Sequence, residues 1–308
     1  MSKLLEVIDM SISFKMYQKG FRQSYTQVIN NLCLNVSRGE ILAIVGSSGS
    51  GKSLLAHGIM GLLPKNATMT GRILYEGKEL TKKRIEELRG KKIALVPQSV
   101  TYLDPLMRIA KQVRGNVKNE ERIRKQKESF RRYDLCENSE KLFPYQLSGG
   151  MARRALICTA EQEDVDLIIA DEPTPGLDIE LAMKTLRYFR ELADKGKGVL
   201  LITHDIDLAL NVADNIAVFY AGTTVEITPV SDFLKGEEGM RHPYTKALFN
   251  AMPQNGFKAV KGYQPYSKDL PKGCLYSPRC TIAKEECSKS KIPMRQLRGG
   301  MVRCIYAT

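Results

Sequence analysis

Residues 41–53 read ILAIVGSSGSGKS, and the fold turns on them. Five apolar residues in a row, Ile41 to Val45, have the form of a parallel strand buried on both faces. The next eight, Gly46, Ser47, Ser48, Gly49, Ser50, Gly51, Lys52 and Ser53, fit the pattern G-x-x-x-x-G-K-[ST]. Glycines let such a loop curl until successive N–H groups point at phosphate oxygens, and the helix that follows adds the positive end of its dipole. Lys52 would then reach the β- and γ-phosphates of a nucleotide, and the Ser53 hydroxyl would ligate Mg²⁺. The alternative is a Gly-rich turn with a stray lysine. The context favours the phosphate loop, because SLLAHGIMGLL (53–63) has helical periodicity and stops at Pro64.

Working outward, DLIIADE (166–172) is the matching half of a nucleotide site. Its apolar run buries a strand, Asp171 at the end can hold the Mg²⁺ hydration shell, and Glu172 is placed to act as general base on a water. Phosphoryl transfer leaves a protein mainly positioning and charge stabilisation to perform. In LSGGM (147–151), Ser148 would cap a helix whose first residues, Gly149 and Gly150, leave a bare tip able to approach a phosphate. Residues 5–14 and 26–36 alternate as antiparallel strands do, with 18–24 as a loop. A strand pair is expected at 71–80, buried strands at 93–96, 166–171 and 198–203, a helix at 179–195, and a last strand pair at 215–228. Residues 103–147 are charged and helical. The texture changes beyond Gly236, which places a boundary near 235.

These motifs together resemble the nucleotide-binding subunit of an ABC transporter over nearly the whole chain. Gln98 in LVPQSVTYLDP matches the family's Q-loop, PGLD (175–178) occupies the D-loop position with Asp178 at its end, and His204 in LLITHD matches the switch histidine. HPYTKALFNAMP (242–253) and GCLYSPRC (273–280) look like the oligopeptide, dipeptide and nickel importer branch. The resemblance implies an α/β P-loop NTPase cassette over 1–235. It would have a mixed RecA-like core sheet, an antiparallel β subdomain and a helical subdomain at about 99–162, with a small Cys-containing extension over 236–308. It implies ATP and Mg²⁺ as cofactors, with catalysis by Glu172, His204, Gln98 and Lys52. Ser53, Gln98 and Asp171 would ligate the metal, and Ser148–Gly150 and Asp178 would act across a cassette dimer. The implied partners are a second and different ATPase subunit, two membrane permeases and an extracytoplasmic binding protein. The chain would lie peripherally on the cytoplasmic face of the membrane and power import of peptides or of nickel or metal complexes. Two departures stand out: Pro175 and Gly176 replace the usual Ser-Ala or Thr-Ala, and Arg153 replaces the common Gln. The aromatic that stacks on adenine is left open among Tyr17, Phe21 and Tyr25.

Composition bounds these readings. At 308 residues with 43% hydrophobic and 26% charged side chains, the chain can bury a large core and is neither disordered nor collagen-like. The N-terminus MSKLLEVIDMS carries acids where a signal peptide would be apolar, so export is not expected. The formal charge is +13, and residues 82–132 hold 16 basic against 6 acidic side chains. That block attracts an anionic surface, nucleic acid or a membrane leaflet, unless it is simply a solvated helix face. A nucleic-acid ATPase is the main alternative, but it would need a long coiled coil between Lys52 and Asp171, where no heptads are sustained. Of seven Cys, Cys274, Cys280, Cys287 and Cys304 crowd the last 35 residues as C-x5-C-x6-C-x16-C, which is not a zinc-finger spacing. Four thiolates are what a [4Fe–4S] cluster requires, and the resemblance implies one as an option, since some members of that branch carry a cluster at these positions. Zn²⁺ on the same thiolates and a reduced, metal-free tail are the alternatives.

Overall fold

The computed structural model describes residues 2–17, 23–47, 49–115, 119–161 and 165–308. The alternating N-terminal segments are β1 (Lys3–Tyr17) and β2 (Gln23–Ser37), paired antiparallel, so β2 already begins inside the stretch read as a loop. Their alternation breaks at register shifts near Asp9 and Asn31, both in left-handed backbone (φ 49° and 45°). Asp and Asn accept that conformation more readily than branched residues, which suits them to a bulge. After β3 (Ile41–Gly46) and α1 (Lys52–Ile59), β4 (Ala67–Tyr75) and β5 (Lys78–Glu79) complete a four-stranded sheet in the order β2-β1-β4-β5. The sequence pattern carries α1 to Leu63, but the helix ends at Ile59. Gly61 turns left-handed (φ 64°), and Leu62 N closes the turn on His57 O at 2.8 Å.

The chain continues through α2 (Lys82–Leu88), β6 (Ile93–Val96), α3 (Ile109–Arg114), α4 (Glu120–Arg132) and α5 (Gly149–Ala160). Next come β7 (Leu167–Asp171), α6 (Ile179–Asp194), β8 (Gly198–Ile202), α7 (Ile206–Leu210), β9 (Asn215–Tyr220) and β10 (Thr223–Pro229). After α8 (Val230–Phe233) and α9 (Pro243–Asn250) the described chain adds α10 (Glu286–Lys289), β11 (Arg295–Leu297) and β12 (Gly300–Val302). The larger sheet runs β11-β12-β10-β9-β3-β8-β7-β6. Strands β9, β3, β8, β7 and β6 are parallel, and β10, β12 and β11 join antiparallel. Ile41, Ala43 and Val45 pack toward α5 and α6, while Leu42 and Ile44 pack toward α1 and the smaller sheet. Burial on both faces is what the unbroken apolar runs require.

The sheet continues past the expected boundary near 235, with Glu226 of β10 opposite Val302 of β12. Glu226 is fully buried and accepts from Arg241 N (3.0 Å), His242 N (2.7 Å) and Arg241 Nη1 (3.4 Å). Arg241 also donates to Asp232 Oδ2 (2.6 Å), Thr228 Oγ1 (2.8 Å) and the carbonyl of Leu297 (2.7 Å). Arg303 bonds Asn31 O at 2.8 Å, and Lys291 bonds Asp9 Oδ1 at 3.0 Å and Asn31 Oδ1 at 2.9 Å. Buried charges survive only when paired and hydrogen-bonded, as Glu226 and Arg241 are.

Candidate nucleotide-binding site

Ligands of open parallel sheets collect beyond the carboxyl ends of the strands. The adjacent strands β3, β8, β7 and β6 end respectively in loop 46–53, in Thr203–His204, in Asp171–Glu172 and in Pro97–Gln98. Motifs scattered over about half the sequence thus meet at one rim.

The loop is shaped by close approach. A Cβ on Gly46 would lie 2.5 Å from Phe219 O, and one on Gly51 (φ 93°) would lie 2.6 Å from Ile29 Cδ1. Lys52 is buried, and its Nζ donates to Gly46 O (2.9 Å) and Ser47 O (3.0 Å). Burial lowers its pKa, while Glu172 and Asp171 pull it back up. Ser50 Oγ is buried without a hydrogen-bond partner among the described residues, and Ser48 lies outside them. Ser53 Oγ donates to Asp171 Oδ1 at 3.2 Å. Burial pushes the Asp171 carboxyl up; the Ser53 hydroxyl opposes that and the Glu172 charge adds to it. A buried carboxylate and a hydroxyl are hard oxygen donors of the kind Mg²⁺ prefers, and a buried lysine in a curl of N–H groups suits a polyphosphate. The residues therefore fit both groups.

Glu172 leaves β7 in left-handed backbone (φ 47°), a conformation uncommon for a non-glycine and often found at working sites. Its Oε2 accepts from Gln98 Nε2 at 2.7 Å, and its Oε1 lies 3.3 Å from His204 Nδ1. Gln98 therefore meets the acid rather than the Ser53–Asp171 pair that the resemblance gives it. Ser148 caps α5, accepting from Met151 N at 3.3 Å, with Gly149 and Gly150 in the first turn. Asp178 caps α6 by accepting from Leu181 N at 2.9 Å. Among the described residues no hydrogen bond joins Ser148 to loop 46–53, so one chain brings the loop and the serine-led tip onto the same molecule without joining them. Tyr17 and Tyr25 are exposed near the free end of the β1–β2 pair, and Phe21 lies outside the described residues.

Cys274, Cys280, Cys287 and Cys304 line a single cleft beside His242, whose Nε2 is 4.0 Å from Cys274 Sγ. Burial pushes the Cys274 thiol up to about 11, with the neighbouring thiols adding to the shift, and raises Cys280 and Cys304 in the same way. Among the described residues no group of three or more His, Cys, Asp or Glu closes to the spacing of a single metal ion.

Two contacts escape sequence reasoning. Arg153, noted only as a departure, is buried and donates to Pro97 O at 3.1 Å, at the root of the Q-loop. Burial lowers its pKa, and Glu172 and Asp171 oppose that shift. Ser47 Oγ donates to Gln264 Oε1 at 2.9 Å, a partner no local pattern could have indicated.

A phosphate loop, a buried aspartate followed by a half-buried glutamate, and a histidine at four parallel strand ends, with a capped glycine tip on the same chain, define an ABC-type ATPase cassette. The family model "ABC transporter" matches residues 29–175, and "Oligopeptide/dipeptide transporter, C-terminal region" matches 225–287. The oligopeptide transport ATP-binding protein OppD of Bacillus subtilis is 35% identical, covering 95% of this chain and 86% of the relative. The dipeptide transport ATP-binding protein DppD of Caldanaerobacter subterraneus is 35% identical, covering 90% of each chain. A solved dimeric ATP-binding cassette in a post-hydrolysis state, bound to ADP and Pi, matches with a TM-score of 0.66 at 27% identity. That match covers 74% of this chain and 99% of the cassette. The chain belongs to the family of ABC transporter ATP-binding proteins, in its oligopeptide/dipeptide branch, and its activity is ATP hydrolysis. Among the described residues no helix is long and apolar enough to cross a membrane.

Proposed function

We propose that this chain is one of two unlike cassettes that drive a peptide importer, held against two permeases at the cytoplasmic face of the membrane and served by an extracytoplasmic binding protein. The observation that carries the reading is a C-terminal region of oligopeptide/dipeptide type joined to a cassette with its acid, histidine and phosphate loop in place. Peptide is the cargo favoured by the names of the relatives above. Nickel and metal–chelator cargo, and the nucleic-acid alternative, draw no support from them.

Ser53 and Asp171 would hold Mg²⁺, which would supply positive charge to offset that of the nucleotide's phosphates. Lys52 gives up the carbonyls of Gly46 and Ser47 for the phosphate oxygens. Glu172, oriented by Gln98, takes a proton from water as the water oxygen bonds to the γ-phosphorus and the bond to the ADP oxygen breaks. His204 steadies the γ-phosphate. This chain's Ser148–Gly150 tip serves the partner's nucleotide, and the partner's equivalent tip serves this one. ATP can then favour the closed pair only by as much as it binds that state more tightly.

The four thiols of the cleft match in number and softness the ligands of a [4Fe–4S] cluster, which when bound would tie the extension's loops together. Anaerobically purified protein should be brown, with about four irons per chain; colourless, iron-free protein from that preparation overturns the cluster.

Purification from solubilised membranes tests the transport reading. The chain should bring with it a second cassette and two permeases, with ATP hydrolysis stimulated by peptide-loaded binding protein. Recovery with nucleic acid, or hydrolysis indifferent to peptide in the assembled complex, overturns it.

A further inference from the structure

The segment after α9 comes back over the phosphate loop. Ser47 Oγ donates to Gln264 Oε1 at 2.9 Å. The strap that carries Gln264 is pinned from behind by Arg279, whose Nε donates to Lys261 O (3.0 Å) and whose Nη2 donates to Val260 O (3.2 Å). Arg279 Nη1 reaches the Tyr220 hydroxyl at 3.4 Å, and its guanidinium lies 5.9 Å from the ring centroids of Tyr220 and Tyr276. Tyr244 of α9 packs on the same two rings, at 4.5 and 5.3 Å between centroids. Tyr220 ends β9 next to Phe219, whose carbonyl crowds Gly46. The strap is therefore built onto the rigid wall that shapes the phosphate loop.

Ser47 is held from two sides. Its carbonyl accepts from Lys52 Nζ at 3.0 Å and from Ser50 N at 3.3 Å, and Gln264 accepts from its hydroxyl. Phosphates draw Lys52 away from that carbonyl, which leaves the backbone turn to Ser50 and, on the side chain, the grip from the extension. We propose that Gln264 is a positioning residue of the nucleotide site, keeping the first turn of loop 46–53 in its phosphate-binding curl once Lys52 has moved to the phosphates. This rests on the reading of 46–53 as the ATP loop, and it makes the C-terminal extension part of the machinery that sets ATP affinity.

The test compares the KM for ATP and the Kd of a non-hydrolysable ATP analogue in the assembled complex. One neutral hydrogen bond corresponds to roughly a two- to tenfold change in affinity. Gln264→Ala should raise both values by about that factor while kcat stays within about twofold, the pattern of an interaction made equally in ground and transition states. Ser47→Ala should raise them at least as far. The double variant should be no worse than Ser47→Ala alone, because both changes remove the same bond. Additive losses, or an unchanged KM in Gln264→Ala, overturn the proposal. Lys52→Ala separates the two readings: intact ATP binding in that variant would remove the nucleotide assignment itself. Lost binding there, with Gln264→Ala unaffected, would remove only the role of Gln264.

Discussion

The strand-end rim and the seam between β10 and the extension both hold charged groups out of water, yet they treat them differently. At the rim, among the described residues, Asp171 has only the Ser53 hydroxyl as a hydrogen-bond donor from a side chain, and Lys52 makes do with two loop carbonyls. At the seam, Glu226 accepts from two backbone N–H groups and a guanidinium, and Arg241 is shared among two carboxylates, a hydroxyl and backbone carbonyls. Under-satisfied buried charges mark where a ligand completes the bonding; fully engaged ones mark where the chain is fastened to itself.

The largest expected effect separates the two. Glu172→Gln should cost about 10²–10⁴-fold in ATP turnover while nucleotide binding and the urea midpoint stay close to the parent's. Near-normal turnover in the assembled complex would dissolve the contrast at the rim. Arg241→Met should do the reverse, costing about 3–5 kcal/mol of stability because Glu226 is left buried and uncompensated. Urea unfolding measures it, and a parental midpoint would show that the seam is not a fastening. Asp178→Ala removes a helix cap and should cost about 1 kcal/mol by the same measurement. A much larger loss would mean that this carboxylate does more in the isolated chain than cap α6.

The smallest effect is a pH dependence. Lys235 and then Arg241 hold the Asp232 carboxyl below its usual range. A depressed folded-state pKa contributes stability that is present above the unfolded carboxylate value and is lost as pH falls through the lower, folded one. Asp232→Asn should flatten that part of the acid-unfolding curve and lower stability near neutrality, where the paired carboxylate contributes in full; an unchanged acid limb would count against the pair.

What was legible in the sequence was local. Loop 46–53, the acid at 171 and the serine cap at 148 each declare themselves within a dozen residues, because strand, turn and helix signals are short-range. Pro64 is the louder stop signal and carries the sequence pattern of α1 too far, because Gly61 turns the backbone first. The cysteine spacing gave no sign that His242 would sit against Cys274. Part of the basic block turned out to be internal bonding rather than a bare field. Arg84 donates to the carbonyls of Tyr75, Lys78 and Glu79, and Arg89 to that of Met60. Contacts such as Ser47–Gln264 and Arg303–Asn31 bridge remote parts of the chain and leave no periodic trace.

Strand β12 lies along the outer side of β10, opposite Glu226 and Ile227. A variant shortened to the cassette would leave that row of amides and carbonyls as an open template for a passing strand, and would strand a buried acid without its arginine. Such a protein would tend to clump before it could be assayed. Deleting the tail is thus a poor way to ask what the tail regulates, and single side-chain changes on its inner surface are the better instrument.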